Sequence, residues 1–262
     1  MKKLRFQYFL RIDFDKPVTQ HSFTVRCTLP SDERQTVLQQ DIHILPKEFL
    51  CENKDSFGNV YFFGRAKDPH NAFEVITEGL VLTGCAEGTK AEEEYRLGMF
   101  AGQTAYTKPD EELKNFFESR KLLNGTNLEK SLAIMENLRA EFAYTPGVTN
   151  ITTTAAQAWA LKKGVCQDYS HIMLSLCRMA GIPCRYVTGM LIGEGLSHAW
   201  VEIEDGGMWY GLDPTNGTRV LEDHIKISHG RDYEDCLINQ GVFTGNASQQ
   251  QSVSVNVKEV IE

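Results

Sequence analysis

The sequence predicts an α+β protein in two parts: an N-terminal β-sandwich over residues 1–85 and, after a linker over 86–106, a core over 107–262 in which a cysteine-bearing helix packs on an antiparallel sheet. Three observations predict it. Between Leu4 and Leu82 short runs alternate apolar and polar with period two, separated by turn residues. Near Gly84–Thr107 the apolar spacing changes from two to three-and-four. From Gly164 to Gly217 one mostly apolar helix is followed by three β-rich runs. With 262 residues and 42% hydrophobic content there is chain enough for one large or two modest packed cores. The net charge of −8 argues against nucleic acid or an anionic membrane as partner, because both attract basic surfaces.

In the first part, Arg5–Phe14 is predicted as a strand and Ser22–Leu29 as a second, with Pro30-Ser31-Asp32 turning the chain. Thr36–Leu45, Asn59–Gly64 and Ala72–Leu82 continue the pattern around a tight turn at Phe57-Gly58-Asn59. Lys2 and Lys3 open the chain as a secretory leader would, but Arg5 and Arg11 interrupt the apolar region a leader needs, so the segment is expected to stay as a strand. No apolar run approaches the roughly 20 residues that span a bilayer. His21, His43 and His70 read as surface or strand-end residues. Gly84–Glu94 marks the boundary, and Glu92-Glu93-Glu94 is expected to be solvated.

In the second part, Thr107-Lys108-Pro109-Asp110 starts a helix through Arg120, capped by Thr107 or Asp110. Asn127–Phe142 is a longer helix whose stripe of Leu128, Leu132, Met135, Leu138 and Phe142 is expected to face the cysteine helix. Thr152–Leu161 is a short helix leading to Cys166. The helix from Cys166 stops at Gly181-Ile182-Pro183, and the runs Cys184–Met190, Ala199–Ile203 and Met208–Leu212 are strands. Ser252–Lys258 alternates cleanly and is predicted to close the core.

Chemistry concentrates around Cys166. A thiol in the first turn of a helix lies beside unpaired backbone N–H groups and the positive end of the macrodipole, both of which favour thiolate. If the strands pair in order, His198 at the start of one and Asp213 at the end of the next share one edge of the sheet. Imidazole can then take the thiol proton, and the carboxylate fixes the ring's tautomer and steadies the imidazolium. His171 lies five residues along the helix, about 140° round from Cys166, which leaves it a structural residue. Asp168 is acidic beside the thiol; a cap for its own helix or a bond to the preceding loop accounts for it. The oxyanion needs donors: the Cys166 backbone N–H is the first, and Tyr144, Gln157 or Trp159 are candidates for the second, with Tyr144 and Trp159 also open to reading as core aromatics. The seven cysteines, at 27, 51, 85, 166, 177, 184 and 236, show neither CxxC nor Cys/His ligand spacing. Reduced thiols, no structural zinc, no cofactor and a cytoplasmic location are therefore expected.

The blocks GVCQDYSH, SHAWVEI and DPTNG together resemble the transglutaminase-like superfamily of papain-type cysteine enzymes. The resemblance implies a papain-like, transglutaminase-like core with Cys166 as nucleophile, His198 as general base and Asp213 as orienting acid. It reaches back through RCTLPSDERQTV and DSFGN, between Arg26 and Asn59, which look like the β domain preceding this core in bacterial members. It reaches forward through Gly230-Arg231-Asp232-Tyr233, which makes Arg231, Asp232 and Tyr233 candidates for supporting or substrate contacts, or for a structural salt bridge with a turn. Cys236-Leu237-Ile238-Asn239 departs from the proline-containing stretch of that family. The expected reaction is thiol-mediated acyl transfer on an amide of a peptide or protein substrate. Hydrolysis ranks above amine transfer, and a non-catalytic peptide-binding scaffold is the alternative of another class. Glu194, in the loop before His198, hints at a basic substrate. Asp213→Asn is expected to cost less than Cys166→Ala or His198→Ala.

Overall fold

The computed structural model describes residues 1–91, 94–120 and 124–261. Glu92 and Glu93 of the acidic run lie outside them. The elements in chain order are β1 (Lys2–Val25), β2 (Gln35–Leu45), β3 (Phe49–Lys54), β4 (Val60–Ala66), β5 (His70–Thr83), β6 (Gly88–Lys90), α1 (Glu94–Ala101), α2 (Glu111–Arg120) and α3 (Asn127–Glu141). There follow β7 (Ala143–Tyr144), α4 (Ala155–Leu161), β8 (Lys163–Gly164), α5 (Cys166–Met179), β9 (Cys184–Leu191), β10 (Gly193–Gly195) and β11 (His198–Asp205). The chain finishes with β12 (Met208–Asp213), β13 (Thr218–Arg219), β14 (His224–Gly230), a 3-10 turn at Glu234–Cys236, β15 (Asn239–Thr244) and β16 (Gln249–Glu259).

β1 organises the first sheet. Leu4, Phe6, Tyr8, Leu10, Ile12 and Phe14 are all buried, which is the one-face burial that period two dictates. The two strands read from the sequence here are one strand that turns a corner. Its first half pairs with β5 and β16, its second half with β4 and β15, and the register slips between Asp13 and Val18. Gln20, at φ +50°, lies just past the slip. A local irregularity of this kind bends a strand from one sheet layer to the next.

The tail differs from expectation. Ser252–Lys258 does not close the core: β16 runs antiparallel to β1 from Leu4↔Glu259 to Phe14↔Gln249, and β15 also pairs with β1. Conversely β6, read as linker, pairs with β12 of the second sheet. The contiguous run 107–262 thus gives its last strands to the first sheet. The apolar face of β16, with Val255 and Val257 buried, finds its complement on β1, a partner that local alternation cannot name.

The second sheet is ordered β13-β12-β11-β9-β14 and carries α2 to α5 on one face, while Phe100 of α1 packs against Trp209 and His229. α5 is buried nearly all round, packed by α3 and α4 and against Val201, Ile203 and Leu212 of the sheet. α3 and α4 each begin with a reciprocal cap, Thr126 with Glu129 and Thr154 with Gln157. α2 takes Asp110 as cap, whose Oδ1 accepts from Leu113 N at 2.9 Å. Thr107 instead lies buried and accepts from Arg178 Nη1 at 2.8 Å.

The sheets share a core, since Met190, Ile225 and Ile227 of the second join the apolar cluster of the first. Two amide side chains fasten the seam. Gln35 donates to Lys226 O at 3.0 Å and accepts from Lys226 N at 2.8 Å; Asn59 does the same with His229, at 2.8 and 2.9 Å. Beside them Glu202 is buried between Arg185 (2.7 Å), Lys226 (2.8 Å) and Arg34 (3.7 Å). The RCTLPSDERQTV and DSFGN segments, through Gln35 and Asn59, therefore add hydrogen bonds to the apolar contacts that hold β14 against the first part of the chain. Among the described residues no helix is long and apolar enough to cross a membrane.

Candidate active site

Cys166 is the first residue of α5 and is partly exposed. The helix mouth is fixed by Asp168, whose Oδ2 accepts from Val165 N at 2.7 Å and from Thr149 Oγ1 at 2.7 Å. A Cβ on Gly164 would come within 2.4 Å of that oxygen, so the approach requires glycine. Burial pushes the Asp168 carboxyl up, against the lowering effect of these hydrogen bonds.

β11 and β12 pair antiparallel with Val201 opposite Leu212, which brings the start of one to the end of the other. There His198 Nε2 lies 2.8 Å from Asp213 Oδ2, and the ring also reaches the Cys166 thiol. Since Nε2 faces the carboxylate, Nδ1 is left for the sulfur. Burial alone would lower the His198 pKa, but the hydrogen bonds and charges of Asp213 and Cys166 outweigh it and raise it to about 10. Burial would likewise raise the Asp213 pKa. Hydrogen bonds from His198 and His224 reverse that and hold the carboxyl far below the usual range.

His224, at the start of β14, is the site residue that motif reading missed. It is 6% exposed, and its Nε2 lies 3.0 Å from the same Asp213 Oδ2. Burial lowers its pKa, so it is a neutral imidazole donating Nε2–H. Asn216 Nδ2 donates to that oxygen too, at 2.7 Å, and Thr215 N and Asn216 N donate to Oδ1 at 3.0 and 3.2 Å. The only sequence signal was a histidine opening a strand shortly after DPTNG. The ligand atoms of His198, Asp213 and His224 lie within 4.8 Å of one another, a grouping that could hold a metal. The 2.8 and 3.0 Å separations are, however, shorter than the ~3.4 Å that tetrahedral ligands about 2.1 Å from zinc keep between themselves. Convergence of two Nε2 atoms on one oxygen is hydrogen-bond geometry. Losing a hydrogen bond to a charged group costs about 1.5–3 kcal/mol. His224→Ala is thus expected to lower kcat/KM roughly tenfold or more and to move its alkaline limb upward, since Asp213 would concentrate its charge on His198. His224→Gln, which keeps a donor, should recover part of both in a pH profile.

The other sequence candidates separate. Tyr144 is 55% exposed and lines the cleft beside Cys166. Gln157 does not reach it, because its Oε1 accepts from Thr154 N at 2.9 Å in the α4 cap. Trp159 does not either: it is 2% exposed, with its ring 4.4 Å from that of Phe116. Tyr144 is therefore the one of the three that lines the cleft with Cys166. Of the GRDY block only Tyr233 lines the cleft. Arg231 forms a surface pair with Asp235 at 2.8 Å, and Asp232 is buried, accepting from Glu234 N at 2.9 Å. His171 is fully buried, accepts from Tyr233 N at 3.2 Å, and is pushed down to about 3 chiefly by burial.

Residues 118–214, which hold Cys166, His198 and Asp213, match the transglutaminase-like superfamily, and residues 4–82 match the bacterial transglutaminase-like N-terminal region. The fold and the family are those of cysteine-dependent enzymes. The chain belongs to the transglutaminase-like superfamily, with the bacterial N-terminal region in front of its core. A crystal structure from Cytophaga hutchinsonii, described as a candidate cysteine protease, shares the fold with a TM-score of 0.80 and 23% identity, covering 100% of this chain and 91% of that one. An uncharacterized protein of Mycobacterium leprae is 28% identical over 264 residues, 93% of this chain and 94% of its own length. Another, from Mycobacterium tuberculosis, is 25% identical over 244 residues, 78% and 76% of the two chains.

Proposed function

We propose that the protein cleaves amide bonds of peptide or protein substrates by thiol-mediated acyl transfer, with Cys166 as nucleophile, His198 as base and acid, and Asp213 orienting the ring. The observation that carries this reading is the row Cys166–His198–Asp213, with Cys166 and His198 opening on one cleft, Asp213 buried behind them, and His198 made strongly basic by its two neighbours. The Cys166 thiolate attacks the carbonyl carbon and forms a C–S bond while the oxyanion develops beside the Cys166 N–H. Collapse breaks the C–N bond, and the leaving amine takes its proton from His198. Water then gives its proton back to His198 and attacks the thioester; the thiolate leaves and a carboxylic acid is released.

Hydrolysis is preferred to amine transfer because the mouth of the cleft is open, with Leu196 68% and Tyr144 55% exposed, so water reaches the thioester. Incubation with a peptide library, in parallel with a glutamine donor and a labelled primary amine, tests the choice. Cleavage is expected; amine incorporation without cleavage would reverse it. Iodoacetamide tests the scaffold alternative, since a thiolate paired with imidazolium alkylates far below the roughly 8.5 of a free thiol. We also propose a reducing compartment, a reading supported by seven free cysteines, one of them the nucleophile.

The pH dependence follows from the proton that His198 must carry. Its pKa is raised, so the protonated form persists until pH rises through about 10, and the alkaline limb of kcat/KM is expected there rather than near 6.5. The stability contributed by this proton is complete below about 6.5 and lost through about 10. Asp213, with a lowered pKa, contributes above its unfolded value of 3.8 and loses that contribution as pH falls. An alkaline limb near 7 would contradict the assignment.

A further inference from the structure

We infer that the first sheet forms the substrate-selecting half of this site and that it accepts an uncharged, largely apolar peptide segment in extended form. This rests on the reading of Cys166 as nucleophile. The cleft, about 830 Å³, runs from Cys166 and His198 away from the catalytic sheet and onto the face of the first one. Its floor is the face of β1 and β16 that shows Tyr8, Leu10, Ile12 and Val253. These β1 positions alternate along the strand, so from Tyr8 to Ile12 the floor runs about 13 Å, the length of roughly four extended residues.

Both walls are sheet edges. β10 pairs with β16 on one side, and β15 pairs with β1 on one side; among the described residues neither is paired on the other. β10 comes three residues before His198, so the edge and the chemistry are one continuous surface. A free strand edge offers backbone N–H and C=O groups at the spacing of an extended chain. A lipid chain would leave those groups, and the amides of Gln240, Gln249 and Gln251 that also line the cleft, without partners, which is costly where water is excluded. The geometry therefore favours a peptide.

The side chains select by charge. No lysine or arginine lines the cleft among the described residues, and Glu194 is the one carboxylate. Glu194 is 72% exposed, lies 3.4 Å from Lys258 Nζ and accepts from Asn256 Nδ2 at 3.1 Å. It is therefore partnered and turned toward water, and the basic substrate it suggested in the sequence is not favoured. A charged side chain on the floor would lose its hydration and find no counter-ion.

The test uses the full chain carrying Cys166→Ala, so that binding is read without chemistry. Acetylated tetrapeptide amides rich in valine and leucine are titrated by calorimetry beside the same peptides with one lysine or one glutamate, a backbone N-methylated version and decanoyl-glycine. The neutral peptide is expected to bind at least tenfold more tightly than either charged one, and N-methylation to cost at least tenfold. Gln251 is exposed, so Gln251→Glu and Gln251→Lys should fold; they are expected to improve binding of the lysine and glutamate peptides, respectively. Equal affinity for all peptides, indifference to N-methylation, no binding of any peptide, or preference for decanoyl-glycine would overturn the inference. Iodoacetamide labelling of the unmodified protein reports separately on the nucleophile, so failure of the chemistry and failure of the substrate class are distinguishable.

Discussion

Cys166→Ala is expected to abolish turnover, a loss on the order of 10⁴-fold or more, while leaving the fold in place. The sulfur is partly exposed at the mouth of α5, and alanine is the best residue for a helical first turn, so neither core nor helix is damaged. His198→Ala should fall almost as far, because thiolate formation and protonation of the leaving amine both pass through its ring. The two variants differ in stability. Removing the imidazole leaves the fully buried Asp213 with one donor fewer, so His198→Ala should also lower the denaturation midpoint, as Cys166→Ala should not. The rival histidines make the claim specific. His171 accepts from Tyr233 N inside the core, and His229 packs against Phe57 and Phe100, so substitution at either should act through stability alone. Single-turnover cleavage with matched melting curves reads both quantities. A His198→Ala protein retaining most of its activity, with loss instead at His171 or His229, would remove the assignment.

Much of this was legible in the sequence because it is local or ordered along the chain. The helix from Cys166, the cap at Asp110 and the strands around His198 and Asp213 depend on residues close to one another. Antiparallel pairing of consecutive strands then brings His198 to Asp213. What was not legible depends on partners far away in sequence. The β1–β16 pairing joins residues far apart in the chain, and the corner in β1 is visible only once its two halves have found their different partners. His224 reaches Asp213 because β14 pairs with β9, which places it beside the β9–β11–β12 strands. Gln157 and Trp159 were separated from the site by one turn of geometry: the first closes a cap and the second fills the core. Local pattern marks such residues as polar or apolar but does not say which way they face.

The surroundings of Asp213 change one expectation in substance. On sequence alone, Asp213→Asn keeps the shape and an acceptor for His198, which suggests a mild loss. Among the described residues the five hydrogen-bond partners of the carboxylate are all N–H donors: His198, His224 and Asn216 at Oδ2, and the backbone of Thr215 and Asn216 at Oδ1. Asparagine has only one acceptor oxygen, so its NH₂ must face donors whichever way the amide turns. If the NH₂ takes the Oδ2 position, His198 avoids the conflict by moving its proton to Nδ1, which presents an N–H to the sulfur and ends its role as base. If it takes the Oδ1 position, the backbone N–H groups that hold the turn lose their acceptor. Either way a buried donor goes unpaired, at about 1–3 kcal/mol. Asp213→Asn is accordingly expected to reduce kcat/KM by about 10³–10⁴-fold, close to His198→Ala, and to lower the denaturation midpoint. Asp213→Asn retaining more than about a tenth of the activity would mean that the donors around Asp213 re-pair freely, and the rigid network drawn from these contacts would have to be abandoned.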